Sequence, residues 1–161
     1  MIKTAYKRPE SVLIVVYTPQ LETLIIERAD VQHAWQSVTG SLEADEKPRE
    51  TAVRELSEEL GIDANQYELQ DWGICNEYEI YDIWRHRYAP GVTQNTEHVF
   101  GLLVPERFEP TLSPREHTHW QWREACVAAE AVFSPSNAEA LRLVPEMAEK
   151  FGASFTPQGS A

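Results

Sequence analysis

The chain is poor in cysteine, poor in basic residues and without a long apolar run. Only two of its 161 residues are cysteine, Cys75 and Cys126. Two thiols do not make the disulfide framework of a small secreted domain, so the expectation is free, buried thiols in a reducing compartment. Lys plus Arg number 14 against 26 Asp plus Glu, a formal charge of −12. That deficit argues against broad binding to nucleic acid or to an anionic membrane surface, since both require basic faces. A small anionic ligand stays compatible, because a metal ion and a few local cations can hold it. No stretch approaches the ~20 apolar residues of a membrane span. Residues 1–9 are polar and lack the apolar centre of a secretory signal, which makes the cytoplasm the expected location. There is no internal repeat, low-complexity tract or linker. The expectation is one domain over residues 1–155, with a disordered tail at 156–161.

What is present suits a folded domain. Sixteen aromatic residues within a 42% hydrophobic composition are enough to fill a core. Residues 11–17 (SVLIVVY) form a β-branched run, the pattern of a strand covered on both faces. Residues 24–26 suggest a second strand, and 35–38 a short extended piece leading to Gly40. From Pro48 to Leu60 the period changes. Ala52, Val53, Leu56 and Leu60 fall at helical spacing, with Pro48 placed to start the helix and Gly61 to stop it. Further strands are expected over 67–81, 85–88, 97–104 and 119–122, then helices over 124–131 and 136–151. Strands interleaved with helices predict an α/β fold: a mixed sheet with helices on its faces.

The helix at 48–60 has an unusual charge pattern. Glu55, Glu58 and Glu59 share one side of it. Like charges so spaced cost a helix a few tenths of a kcal/mol, roughly, per pair. One reading is a solvated acidic face balanced by Arg49 and Arg54. The other is a divalent cation site, since Mg²⁺ and Mn²⁺ favour clustered carboxylate oxygens and leave positions open for water and phosphate. The surrounding spacing decides between them. Gly40, Glu46, Arg54-Glu55-Leu56, Glu58-Glu59 and Gly61-Ile62 satisfy every fixed position of G-x5-E-x7-R-E-U-x-E-E-x-G-U, where U is a bulky aliphatic.

This span resembles the signature of the Nudix hydrolase superfamily. The resemblance implies an α/β/α sandwich in a single domain, and an enzyme that breaks a phosphoanhydride with Mg²⁺, Mn²⁺ being a possible substitute. It implies Glu55, Glu58 and Glu59 as metal ligands, with Glu58 and Glu59 also serving catalysis and Arg54 fixing a carboxylate through its planar fork. Many members carry a second glycine where this chain has Thr39, whose hydroxyl either contacts ligand or bonds to backbone. A general base or further metal ligand is expected from outside the signature. Glu116 is the first choice and Glu97 the second; His117 and His119 are left out, for want of a third ligand.

Segments outside the signature resemble one branch of that superfamily, the bacterial dihydroneopterin triphosphate pyrophosphohydrolases. These are residues 6–9 (YKRP), 35–41 (WQSVTGS), 86–93 (HRYAPGVT), 95–97 (NTE) and 136–137 (SN). The resemblance implies hydrolysis of dihydroneopterin triphosphate to the monophosphate and pyrophosphate. Lys7, Arg28 and Arg87 are then candidate phosphate partners. Tyr78, Tyr81 and Trp35 are candidates to stack on the ring, with core packing as the alternative. Ser134 and Asn137 stand as ligand donors, unless Ser134 or Ser136 caps the last helix. Two alternatives remain: a nucleotide pyrophosphohydrolase acting on dATP, oxidised purine dNTPs or dinucleoside polyphosphates, and a non-catalytic nucleotide-binding module. No signature position is degenerate, which disfavours the module. The sequence does not set an oligomeric state.

Overall fold

Residues 11–17 are all buried because the strand they form lies inside the sheet with a layer on each face. The computed structural model describes residues 6–152, so the expected tail at 156–161 lies outside the described residues. Among the described residues, seven strands and four α-helices follow in chain order: β1 Glu10–Tyr17, β2 Glu22–Arg28, β3 Trp35–Gln36, β4 Val38–Ser41, α1 Pro48–Leu60, β5 Glu68–Glu79, β6 Gln94–Leu103, β7 His117–Glu124, α2 Ala125–Ala131, α3 Pro135–Arg142 and α4 Val144–Gly152.

Alternation along β1 sorts its side chains between two cores. Val12, Ile14 and Val16 pack with Ala52, Leu56 and Leu60 of α1. Leu13, Val15 and Tyr17 face the other way, against Ala128, Leu141, Val144 and Met147 from α2, α3 and α4. The result is the expected α/β/α sandwich around a mixed sheet. β1 runs parallel to β6 and antiparallel to its other neighbours, and it changes antiparallel partner along its length. It pairs with β4 over Ser11 to Ile14 and meets β2 only at Tyr17, opposite Thr23. β2 pairs instead with β7 over its whole length. The sheet therefore divides beside the start of β1, and the cleft described below opens there.

Several expectations need correction. The segment expected as a strand over 85–88 is a 3₁₀ turn, Asp82–Arg87. It is closed locally by Trp84 N–H donating to the Tyr81 carbonyl (2.9 Å) and Tyr88 N–H to that of Arg85 (3.0 Å). The final helix is two helices, broken at Leu143. Pro145 has no N–H to bond back into α3 but is tolerated in the first turn of α4. Both cysteines are free, as expected, but exposed rather than buried.

Gly61 ends α1 in the left-handed region (φ 72°), its N–H returning to the Ser57 carbonyl (2.9 Å). A Cβ there would stand 2.9 Å from Cβ of Thr111. Gly61→Ala is expected to destabilise the fold by about 1–2 kcal/mol through backbone strain, read as a lowered midpoint in urea with an unchanged slope.

Candidate active site

A cleft of about 720 Å³ lies where the sheet divides. One wall is the signature helix α1 and the loop before it. The other is built from residues 6–8, the end of β2, the segment around 78–88 and the loop entering β7.

Arg54 organises the first wall. Its guanidinium takes the Glu46 carboxylate bidentately, Nε to Oε2 at 2.7 Å and Nη2 to Oε1 at 2.8 Å. It also donates to the Ser41 carbonyl (3.0 Å), to Glu58 (3.2 Å) and to Glu55. Its helical neighbour Glu50 bonds instead to the Lys47 N–H (2.8 Å). The loop from β4 is thereby pinned to α1, and Arg54 acts by positioning carboxylates. The same contacts hold the Glu46 carboxyl at about 2, below its ordinary value, with the Arg54 hydrogen bond as the largest cause.

Glu55 and Glu59 lie side by side, 8% and 4% exposed, whereas Glu58 is half-exposed at the rim. Gly40 makes room for them: a Cβ on Gly40 would strike the Glu55 carboxyl group. Burial, then a hydrogen bond donated to Glu55 and the charge of Glu55, then the charge of Glu116, push the Glu59 carboxyl well up; the Thr39 N–H opposes them. Glu59 Oε1 is buried without a hydrogen-bond partner. Among the described residues, no three His, Cys, Asp or Glu side chains already stand as a ligand set. Glu55 and Glu58 are drawn to Arg54, and Glu116 is exposed on the opposite wall. The donor set nevertheless fits a hard divalent cation: it is all carboxylate, and its most buried oxygen is unsatisfied.

The second wall carries the cations. Lys7, Arg28 and Arg87 all line the cleft. Burial and then the charges of Arg87 and Arg28 lower the Lys7 ammonium, while Glu55 and Glu59 act to raise it. Arg28 is held by Asp30 through two bonds of 2.8 Å, donates to Gln36 Oε1 (3.3 Å) and lies 4.5 Å over the Trp84 ring. Tyr78, Tyr81 and Thr39 also line the cleft. The Thr39 hydroxyl donates to the Val12 carbonyl (2.9 Å), so its backbone bond is present at a position that also faces the cleft.

Trp35 and Ser134 take the alternatives expected for them, core packing and helix capping. Trp35 packs against the core beneath α2–α4 and does not line the cleft. Asn137 is consumed by Ser37, accepting from its N–H and donating to its hydroxyl, both at 2.8 Å. Ser134 caps α3 and lines a small side recess. The sequence reading missed three residues. Trp84 and Tyr88 line the cleft from the 3₁₀ turn Asp82–Arg87 and the residue that follows it. His117, set aside earlier, is buried there: the Gln36 amide donates to its Nε2 (3.1 Å), and Glu59 Oε1 is 3.7 Å away. Burial, followed by the Arg28 charge, pushes its imidazole down to about 4, so it is neutral near pH 7 and forms no ion pair with Glu59. Adjacency to Glu116 was the available signal.

Comparison with known proteins agrees with this geometry. The model of the NUDIX domain matches residues 7–148. The dihydroneopterin triphosphate diphosphatase of Haemophilus influenzae is 42% identical over 140 residues, 85% of this chain and 87% of that protein. The structure of the Escherichia coli dihydroneopterin triphosphate pyrophosphohydrolase superposes with a TM-score of 0.82 at 41% identity, covering 88% of this chain and 98% of that one. A NUDIX hydrolase structure from Listeria monocytogenes, at 24% identity and a TM-score of 0.74, shares the fold.

Because the Glu46 carboxyl is depressed in the folded state, its stabilisation is complete above about 4.5 and is lost as pH falls toward about 2. Glu46→Gln should cost on the order of 2 kcal/mol at pH 7, after allowance for partial exposure. It should also flatten acid denaturation within that window, followed by circular dichroism.

Proposed function

The chain belongs to the Nudix family, and on that footing we propose that it hydrolyses dihydroneopterin triphosphate to the monophosphate and pyrophosphate. The observation that carries this reading is a buried carboxylate pair with an unsatisfied oxygen, facing a cationic and aromatic wall across one cleft. The names of the H. influenzae and E. coli relatives supply the pterin substrate.

Glu55, Glu58 and Glu59, with Glu116 opposite, would hold the divalent cation, Mg²⁺ with Mn²⁺ as a substitute. Bound there, such an ion neutralises charge on the phosphate oxygens and lowers the pKa of water. Lys7, Arg28 and Arg87 bind the phosphate chain from the other wall, where their clustered charge is otherwise unfavourable. Glu116 accepts the proton of the attacking water, being a carboxylate at the mouth of the cleft and near enough to Glu59 to raise it. Arg54 keeps Glu55 and Glu58 in register with the loop. Tyr78 and Tyr81, joined by Trp84, hold the ring, and Thr39 and Ser134 lie beside it. Among the described residues no helix is long and apolar enough to cross a membrane.

Hydrolysis of a panel of triphosphates in ¹⁸O-labelled water with Mg²⁺ tests the reading. Dihydroneopterin triphosphate should give the highest kcat/KM and release pyrophosphate. A clear preference for dATP, an oxidised purine dNTP or a dinucleoside polyphosphate would replace the substrate. Binding without turnover would leave only a nucleotide-binding module. Glu59→Gln should lower turnover at least ~10²-fold while leaving the melting transition in place. Lys7→Ala should raise KM about tenfold by removing one charge-assisted phosphate contact.

A further inference from the structure

A recess of about 80 Å³ opens off the cleft, sharing Arg28, Gln36, Thr39, Tyr81 and Trp84 with it. Its inner end contains a carboxylate that the hydrolytic machinery does not use. Glu97 is 3% exposed and sits on β6, opposite Ser11 of β1. Burial pushes its carboxyl up, Ser136 and Asn76 oppose that, and its Oε1 has no hydrogen-bond partner. Two residues earlier on the same face of β6, Asn95 is 2% exposed. Its amide nitrogen donates to the Ser11 hydroxyl (2.7 Å) and to the Tyr78 hydroxyl (3.2 Å), and its Oδ1 is likewise buried without a partner. Glu97 thus lines the recess together with the aromatic cluster of Tyr81, Trp84 and Phe133, while Asn95 lines the main cleft. Among the described residues no cation forms an ion pair with Glu97.

Buried acceptors left unpaired are costly unless a donor arrives. The recess is too small for a bicyclic ring but suits one edge of it, and the aromatic rings beside it suit the remainder. We propose that Glu97 selects the ring by accepting hydrogen bonds from two adjacent N–H groups, the ring N–H and exocyclic amine of a 2-amino-4-oxopyrimidine edge. Pterin and guanine carry that edge. Adenine presents a donor beside an acceptor, which would set a ring lone pair against the carboxylate. A site built around hydrogen bonds discriminates strongly, because the wrong ligand leaves its buried groups unpaired. The proposal rests on the substrate reading above and adds the residue that distinguishes a pterin from an adenine.

The test is Glu97→Gln, which keeps shape but presents one acceptor and one donor. Binding of neopterin and of adenosine, neither carrying phosphate, is measured without metal by fluorescence titration. The expected result is at least a tenfold loss of neopterin affinity in Glu97→Gln, with adenosine unchanged or tighter. In hydrolysis, the ratio of kcat/KM for dihydroneopterin triphosphate over dATP should fall at least tenfold, and that for dGTP over dATP likewise. Ratios within one preparation do not depend on how much of the variant is folded. Equal losses for all compounds, or neopterin bound equally well by both proteins, would overturn the role. The binding arm needs no turnover. A native protein that binds neopterin through Glu97 but leaves its triphosphate uncut would thus overturn the hydrolytic reading and keep this one.

Discussion

Two carboxylates buried side by side set the terms for this molecule. Glu55 fills the space that Gly40 leaves, and burial with the neighbouring charge of Glu55 pushes the Glu59 carboxyl well up, so the pair is costly without a cation. Their burial is tolerable only in a frame rigid enough to deny them a retreat to solvent. Arg54 supplies that frame by clamping Glu46 bidentately and drawing Glu55 and Glu58 to the same guanidinium. The signature spacing is the sequence record of this clamp. Glu46 must return from the loop to meet a residue two helical turns in, while Gly40 must leave space behind.

The second requirement is an opening, and the sheet provides it by dividing. β1 exchanges β4 for β2 along its length, so the two strands diverge where the cleft begins. That divergence brings α1 opposite the end of β2 and the loop entering β7. The acidic wall, the cationic wall and the aromatics that line the cleft thus come from segments remote in sequence.

This remoteness explains what could be read in advance. The helix at 48–60 was legible because periodicity, Pro48, Gly61 and the fixed spacing all lie within one short span. Lys7, Arg28, Arg87, Tyr78 and Tyr81 could be singled out because each adjoins a segment with a recognisable pattern, and all five line the cleft. Trp35 takes the core-packing alternative because its side chain falls on the α2–α4 face, a matter of strand register that a two-residue strand does not reveal. His117 and Gln36 meet across 81 positions, a contact that only the pairing of β2 with β7 creates. The 3₁₀ turn at Asp82–Arg87 was hidden for a different reason: its aromatic and basic residues suit a strand, but no neighbouring strand is there to pair with it.

Charge gives the remaining argument. A protein of net charge −12 repels a triphosphate at long range, so affinity must be generated locally. Lys7 is lowered by burial and by Arg28 and Arg87, which means that the cations are held against their own repulsion. Arg28 is partly neutralised by Asp30, while Arg87 reaches the same carboxylate only at 3.7 Å. Opposite them, the carboxylates repel one another as well. Each wall is unfavourable alone, and under the proposed function each would be relieved by the other half of a metal–phosphate complex: the carboxylates by the cation, the ammonium and guanidinium groups by the phosphate oxygens. Binding either component to its own wall lowers the electrostatic cost of admitting the other, so cation and phosphate chain should enter the cleft cooperatively.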